Sequence, residues 1–265
     1  MLTFKQYVRA QSLDEAYALC QKRSNLVLGG MLWLKMQDRT VNTVIDLSGL
    51  GLDQIEQTPE GWRIGAMVPL RALEKHPSLA ALTNGAMAES VRHIVGVQFR
   101  NLATVGGSLY GRFGFSDVLT LFLALGAVVH LHHGGDIPLA EYVNQPYERD
   151  ILTHVFVPNQ TGRVAYIAQR NQSTDFPVLT CAVAVGPEPG QIRCAIGARP
   201  MKAALLTDET GILAGGITPE SAAAYGEYAA EHTAFGSNLR GSADYRRALC
   251  QVLVRRALLA CKEDA

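Results

Sequence analysis

Apolar and polar positions along this chain alternate with two periods, near two and near 3.6, and the switches between them divide it into three stretches. In the first, Phe4–Val8 reads as a strand. Ser12-Leu13-Asp14-Glu15 then has the spacing of a capping box, opening a helix that turns Leu13, Ala16, Tyr17 and Cys20 inward. Asn25–Leu28 is a strand that runs straight into Gly29-Gly30; Met31–Met36 is expected to begin a helix and Thr43–Leu47 to form a third strand. This β-α-β-α-β run is too small to stand alone and ends near Leu50–Pro59.

The second stretch opens with a strand at Trp62–Gly65 and a helix started by Pro69. A helix over Ala86–Ile94 leads to a turn, Thr104-Val105-Gly106-Gly107-Ser108, and an irregular loop, Tyr110–Phe115. An apolar helix, Val118–Leu125, follows with Ser116 as its N-cap and stops at Gly126. The β-branched run Ala127–Leu131, a hairpin turn at His132–Asp136 and a strand at Asp150–Val157, stopped by Pro158, complete it. The third stretch reads as antiparallel strands at Arg163–Gln169, Val178–Val185 and Gln191–Gly197, then two helices opened by Thr218-Pro219-Glu220 and by Ser242. The last helix is expected to carry Tyr245, Leu249, Val252 and Leu253 on one face. Its Arg246, Arg247, Arg255 and Arg256 fall off that face, either solvated or against a partner subunit.

Composition narrows the field. The 265 residues suffice for two domains or one elaborate one, and 24 Lys+Arg balance 24 Asp+Glu, so no overall field draws the chain to nucleic acid or an anionic membrane. The N-terminus lacks the apolar core and cleavage site of a signal peptide, and no run approaches the length of a membrane helix. Five scattered cysteines without a CxxC build neither a zinc ribbon nor an iron–sulfur cluster and are expected as reduced thiols of a cytoplasmic protein.

The chemistry concentrates at glycine pairs. Gly106-Gly107 lets a ligand approach the main chain closely, successive amides in such a turn favour an anion, and Thr104 and Ser108 add hydroxyls. Asp117 could accept from a ribose or ribityl hydroxyl. Gly29-Gly30, after a strand and before an expected helix, occupies the position of a phosphate site. Two such nests facing each other suit a diphosphate. The closest dinucleotide fingerprint, Gly49-Leu50-Gly51-Leu52-Asp53-Gln54, lacks its third glycine, and neither a P-loop nor a GxSxG elbow is present. His130, His132 and His133 read as a solvated strand end rather than zinc ligands, which would need a third ligand and a supporting shell. No metal site is expected, and no residue stands out as a general acid or base.

The order strand–Gly29-Gly30, Thr104-Val105-Gly106-Gly107-Ser108-Leu109, Ser116-Asp117 and Leu-Ala-Leu-Gly126-Ala resembles the FAD-binding medium subunits of molybdenum hydroxylases, of the xanthine dehydrogenase and carbon monoxide dehydrogenase type. Asn238–Ala260, with its Gly-Ser-x-x-Tyr-Arg start, is similar to the C-terminal domain of those subunits. The resemblance implies an α+β fold: a two-subdomain FAD-binding (PCMH-type) domain over residues 1–160, with subdomains of about 1–57 and 58–160, then a C-terminal antiparallel sheet plus helices over 161–265. It implies FAD held between the subdomains, its pyrophosphate on both glycine turns. Val27, Leu28, Gly29, Gly30, Met31 and Leu32 would form the first contact loop and Thr104, Val105, Gly106, Gly107 and Ser108 the second. Asp117 would bind a sugar or ribityl hydroxyl, and Ile94 and Leu152 would pack near the rings. Electrons would arrive from iron–sulfur clusters on a partner chain and leave to NAD or another acceptor, with a molybdenum cofactor on a third chain.

The first loop departs from the family's Gly-Gly-Thr-Asp, reading Gly29-Gly30-Met31-Leu32, so its binding would rest on backbone groups alone. Ser108 replaces a common Asn, and a basic residue usual near Ile167 is absent there, with Gln169 and Arg170 close by. Two alternatives follow: a flavin-free assembly subunit, and a self-contained flavin oxidase or reductase.

Overall fold

The computed structural model describes residues 1–160, 162–188 and 191–262; the domain boundary expected at residue 161 and the chain end at 265 lie outside them. The chain opens β1 (Thr3–Arg9), α1 (Leu13–Cys20), β2 (Leu26–Leu28), β3 (Thr40–Asp46), β4 (Ile55–Gln57) and β5 (Gly61–Gly65). Short helices follow: α2 (Leu70–Lys75), α3 (Pro77–Leu82), α4 (Ala86–Arg92), α5 (Val97–Leu102), α6 (Val105–Tyr110) and α7 (Asp117–Ala124). Next come β6 (Val128–Leu131), β7 (Gly135–Pro138), α8 (Leu139–Tyr142) and β8 (Leu152–Pro158). The last part holds β9 (Val164–Arg170), β10 (Pro177–Val185), β11 (Ile192–Gly197), β12 (Ala204–Thr207), α9 (Pro219–His232) and α10 (Ala243–Ala260).

These elements form two compact units from interleaved segments. Met1–Ala72, Val97–Gly111 and Ala127–Val157 make the first; Leu73–Gly96, Arg112–Gly126 and Pro158–Ala265 make the second.

In the first unit, β1-β3-β2 is a parallel sheet. Parallel strands need crossovers, and α1 supplies the one between β1 and β2, which flank β3. Its N-cap Ser12 accepts from the Glu15 amide, while the Glu15 carboxylate reaches back to the Gln11 amide, one residue before the position a strict capping box uses. Ala16 and Cys20 of α1 pack with Ala10, Ile45, Leu47 and Ile151. The Arg149 guanidinium holds the chain after α1, donating to the carbonyls of Cys20, Lys22 and Asn25. The unit's other sheet has the order β4-β5-β8-β6-β7. The Asp150 carboxylate closes its β6–β7 hairpin, accepting from the amides of His133 and Gly134.

In the second unit, the antiparallel sheet β12-β11-β10-β9 has β10 at its centre, buried from Pro177 to Ala184. Leu179, Cys181 and Val183 meet α9 and α10 in one core. On the opposite face Thr180 meets Thr120 of α7, hydroxyl to hydroxyl at 3.0 Å. α7 is buried along its whole length, begins at the Ser116 cap and stops where Gly126 turns left-handed at φ +68°. Four of the five free cysteines belong to the sheet–helix core, where burial pushes the thiols of Cys250 and Cys261 up.

Several expectations need correcting. Met31–Met36 gives only a 3-10 turn at Leu34–Met36, because Met31 itself adopts φ +60°. β4 and β12 were not anticipated. The buried stripe of α10 is Arg246, Cys250, Leu253, Val254, Ala257 and Leu258, whereas Tyr245 and Val252 are exposed. Arg246, expected off the core, is completely buried. It donates to the carbonyls of Val178, Gly236 and Gly241 and to Asn238 Oδ1, which explains how a charge sits there.

Candidate functional site

The first glycine bend leaves the parallel sheet at the end of β2. From there the amides of Gly29, Gly30, Met31 and Leu32 make no hydrogen bond among the described residues. Met31 is left-handed, a conformation a non-glycine residue adopts at a cost of about 1–2 kcal/mol. Its side chain packs against Leu2, Leu28, Val41 and Val44, which holds it there. Consecutive amides about a left-handed residue form a concave donor surface suited to an anion.

The second bend is built differently, and here the expectation of exposed amides fails. Thr104–Ser108 is the start of α6, with Thr104 as N-cap. The Val105 amide donates to Val68 O, Gly106 to Ala66 O, Gly107 to Thr104 Oγ1 and Ser108 to Thr104 O. The Ser108 hydroxyl also donates to Thr104 O, at 2.9 Å. Neither glycine has positive φ. Gly106 is required for space: a Cβ there would lie 2.7 Å from Ala66 Cβ and carbonyl oxygen.

The two bends touch. A Cβ on Gly29 would sit 2.8 Å from Thr104 Oγ1 and 4.0 Å from Gly107 Cα, and one on Gly30 would fall 1.8 Å from the Leu102 carbonyl oxygen. Gly30 and Gly106 are therefore packed against backbone. Gly29 and Gly107 face each other across space that a side chain would fill, with Gly107 exposed and the unbonded amides of Gly29–Leu32 alongside. A phosphate group fits the donor chemistry here: Gly29 and Gly107 carry no Cβ, with backbone donors on one wall and the Thr104 hydroxyl on the other.

The remaining anticipated residues are dispersed. Val27 packs with the α1 core, and Leu28 and Leu152 are buried, Leu152 opposite Leu131 in the five-stranded sheet. Ile94 and Asp117 belong to the second unit, Ile94 just after α4. Asp117 is buried at the head of α7, and its Oδ1 accepts from the Tyr166 hydroxyl and Arg170 Nη2. Burial pushes its carboxyl up, against the opposing pull of Arg170 and Tyr166. Arg170 was singled out in the sequence only as a nearby cation and Tyr166 not at all, although four residues apart on a strand they share a face. Arg170 also donates to the Asp175 carbonyl at 2.6 Å.

Fold and site together define an α+β protein with unbonded backbone amides beside a pair of glycine bends. Comparison with known proteins makes the assignment specific. Residues 2–160 match the family of the FAD binding domain in molybdopterin dehydrogenase, and residues 164–261 match the CO dehydrogenase flavoprotein C-terminal domain. The nicotine 6-hydroxylase medium subunit of Paenarthrobacter nicotinovorans is 27% identical over 96% of this chain and 95% of its own. The glyceraldehyde dehydrogenase medium chain of Sulfolobus acidocaldarius is 23% identical over 95% and 96%. Among solved structures, carbon monoxide dehydrogenase from Hydrogenophaga pseudoflava superposes with a TM-score of 0.87 at 25% identity, covering 98% of this chain and 97% of that one. The chain belongs to the FAD-binding family of molybdopterin dehydrogenases and is a flavoprotein-type oxidoreductase subunit.

Proposed function

We propose that this chain is the FAD-holding electron-transfer subunit of a multi-subunit molybdenum hydroxylase. The observation that carries the reading is the close approach of Gly29 and Gly107, with room between them that a side chain would fill, beside four unbonded amides. In it, Gly29–Leu32 donate to the pyrophosphate, Gly107 admits it against the main chain, and Thr104 offers its hydroxyl. Asp117 takes a hydroxyl of the cofactor in addition to its bonds to Tyr166 and Arg170, and Ile94 and Leu152 serve the rings. When bound, FAD supplies the redox chemistry, linking iron–sulfur clusters on a partner chain to NAD or another acceptor while a third chain carries the molybdenum cofactor. The FAD-binding domain occupies residues 1–160, with subdomains meeting near residue 57, and the C-terminal domain 161–265. The cytoplasm, where thiols stay reduced, suits the five free cysteines.

Met31-Leu32 favours one rival, a subunit that assembles the complex without flavin. A visible spectrum of the purified chain after FAD supplementation and desalting separates the two. Flavin bands at one per chain support the electron-transfer role, and a colourless protein supports the rival.

A further inference from the structure

The sequence set His130 beside His132 and His133 and lacked a third ligand and a supporting shell; the register of the first unit's five-stranded sheet supplies other partners. His130 of β6 lies directly opposite Asp136 of β7 and His154 of β8, on the face away from the buried Val129 and Val155. His130 Nδ1 and Asp136 Oδ1 are 2.7 Å apart, and the two imidazoles stack at 4.6 Å. One ligand atom from each of the three residues lies within 4.8 Å of the others. We propose that His130, Asp136 and His154 form a binding site for a zinc ion.

Two imidazoles and a carboxylate match zinc, which takes three protein ligands and keeps a fourth position for water where the site is open. Asp136 is exposed on the outermost strand, so that position faces solvent. Tetrahedral zinc holds its ligand atoms about 3.3 Å apart, within reach by side-chain rotation alone because paired strands already fix the three Cα atoms. A supporting shell is also in place. The Thr153 hydroxyl lies 3.2 Å from the His130 carbonyl and 2.9 Å from His154 Nδ1; in the arrangement where it donates to the carbonyl, His154 Nδ1–H donates to it and the Nε2 lone pair is left for the metal. Zinc binding at Nδ1 selects the neutral His130 tautomer that carries its proton on Nε2. The nearby cation, Arg63 on β5, is offset by Glu56, 3.8 Å away.

A second cluster, Asp14 with His132 and His133, is less suited. Its His133 ring is stacked on Tyr17 at 3.7 Å, and its ligands come from a helix and two adjacent residues rather than from paired strands. It serves as the control.

The test is a titration of the full-length chain with zinc chloride against a chromophoric chelator, repeated for Asp136→Asn, His154→Gln and His133→Gln. One zinc per chain is expected, weakened about tenfold or more by the first two substitutions and unchanged by the third. Asp136 is exposed, so its substitution decides the matter even if the half-buried His154 proves necessary for folding. No binding, binding indifferent to Asp136→Asn, or binding lost only with His133→Gln would overturn the proposal. The outcome is independent of whether the chain holds FAD.

Discussion

Four glycines at the two bends have separable physical roles. Gly30 and Gly106 sit where a Cβ would strike backbone, so Gly106→Val should destabilise the fold by about 1–3 kcal/mol through overpacking and lower the melting temperature. Gly29 meets only a threonine hydroxyl and the open face of Gly107. Gly29→Val should cost less, about 1 kcal/mol through displacement of the Thr104 cap, and abolish FAD retention, a contrast that calorimetry and absorbance on the same samples would check. The glycine pairs themselves were legible as sites of close approach. Their conformations were not: positive φ falls on Met31, held by apolar packing that a local reading does not see. The amides of Val105 and Gly106 are taken by the carbonyls of Val68 and Ala66, which are remote in sequence, and those of Gly107 and Ser108 by Thr104. Asp117 was recognised as special from its place after Ser116, but its partners, Tyr166 and Arg170, come from a strand some fifty residues on.

Among the elements, those with strong periodicity and clear caps were read closely. α7 begins and ends as its Ser116 and Gly126 signals indicate, and Gly126→Ala should cost about 1–2 kcal/mol because it forces a left-handed alanine, with Arg193 Cζ only 3.3 Å from the new Cβ. Equilibrium urea unfolding measures it. α10 was read one position out of phase, since hydropathy assigns an arginine to the outside. A guanidinium can be buried when carbonyls surround it, and those carbonyls belong to residues 178, 236 and 241. Arg246→Met should leave these acceptors unpaired and cost about 3 kcal/mol or more. Arg246→Lys should recover little, because an ammonium lacks the planar fork that reaches all of them. A loss below about 1 kcal/mol would show the network to be dispensable. β4 and β12 escaped notice because each is a short strand added to a sheet by pairing rather than by its own pattern.

For the molecule as a whole, the α+β class and the family emerged from the order of motifs, yet the interleaving of three chain segments in each unit did not, because linear sequence carries no sign of which segments return to which core. Among the described residues no helix is long and apolar enough to cross a membrane, and the balanced charge leaves recognition of partners to local surface. Arg247, Arg255 and Arg256 with Tyr245 and Val252 lie on the exposed side of α10. The central claim concerns the backbone cradle, and equilibrium binding of FAD and of riboflavin, which lacks the diphosphate, tests it most directly. The full chain should bind one FAD at least about a hundredfold more tightly than riboflavin, the worth of two charge-assisted hydrogen bonds. Gly29→Val should erase that preference. A parent chain that binds the two ligands equally, or a Gly29→Val chain that holds FAD as tightly as the parent, would contradict it.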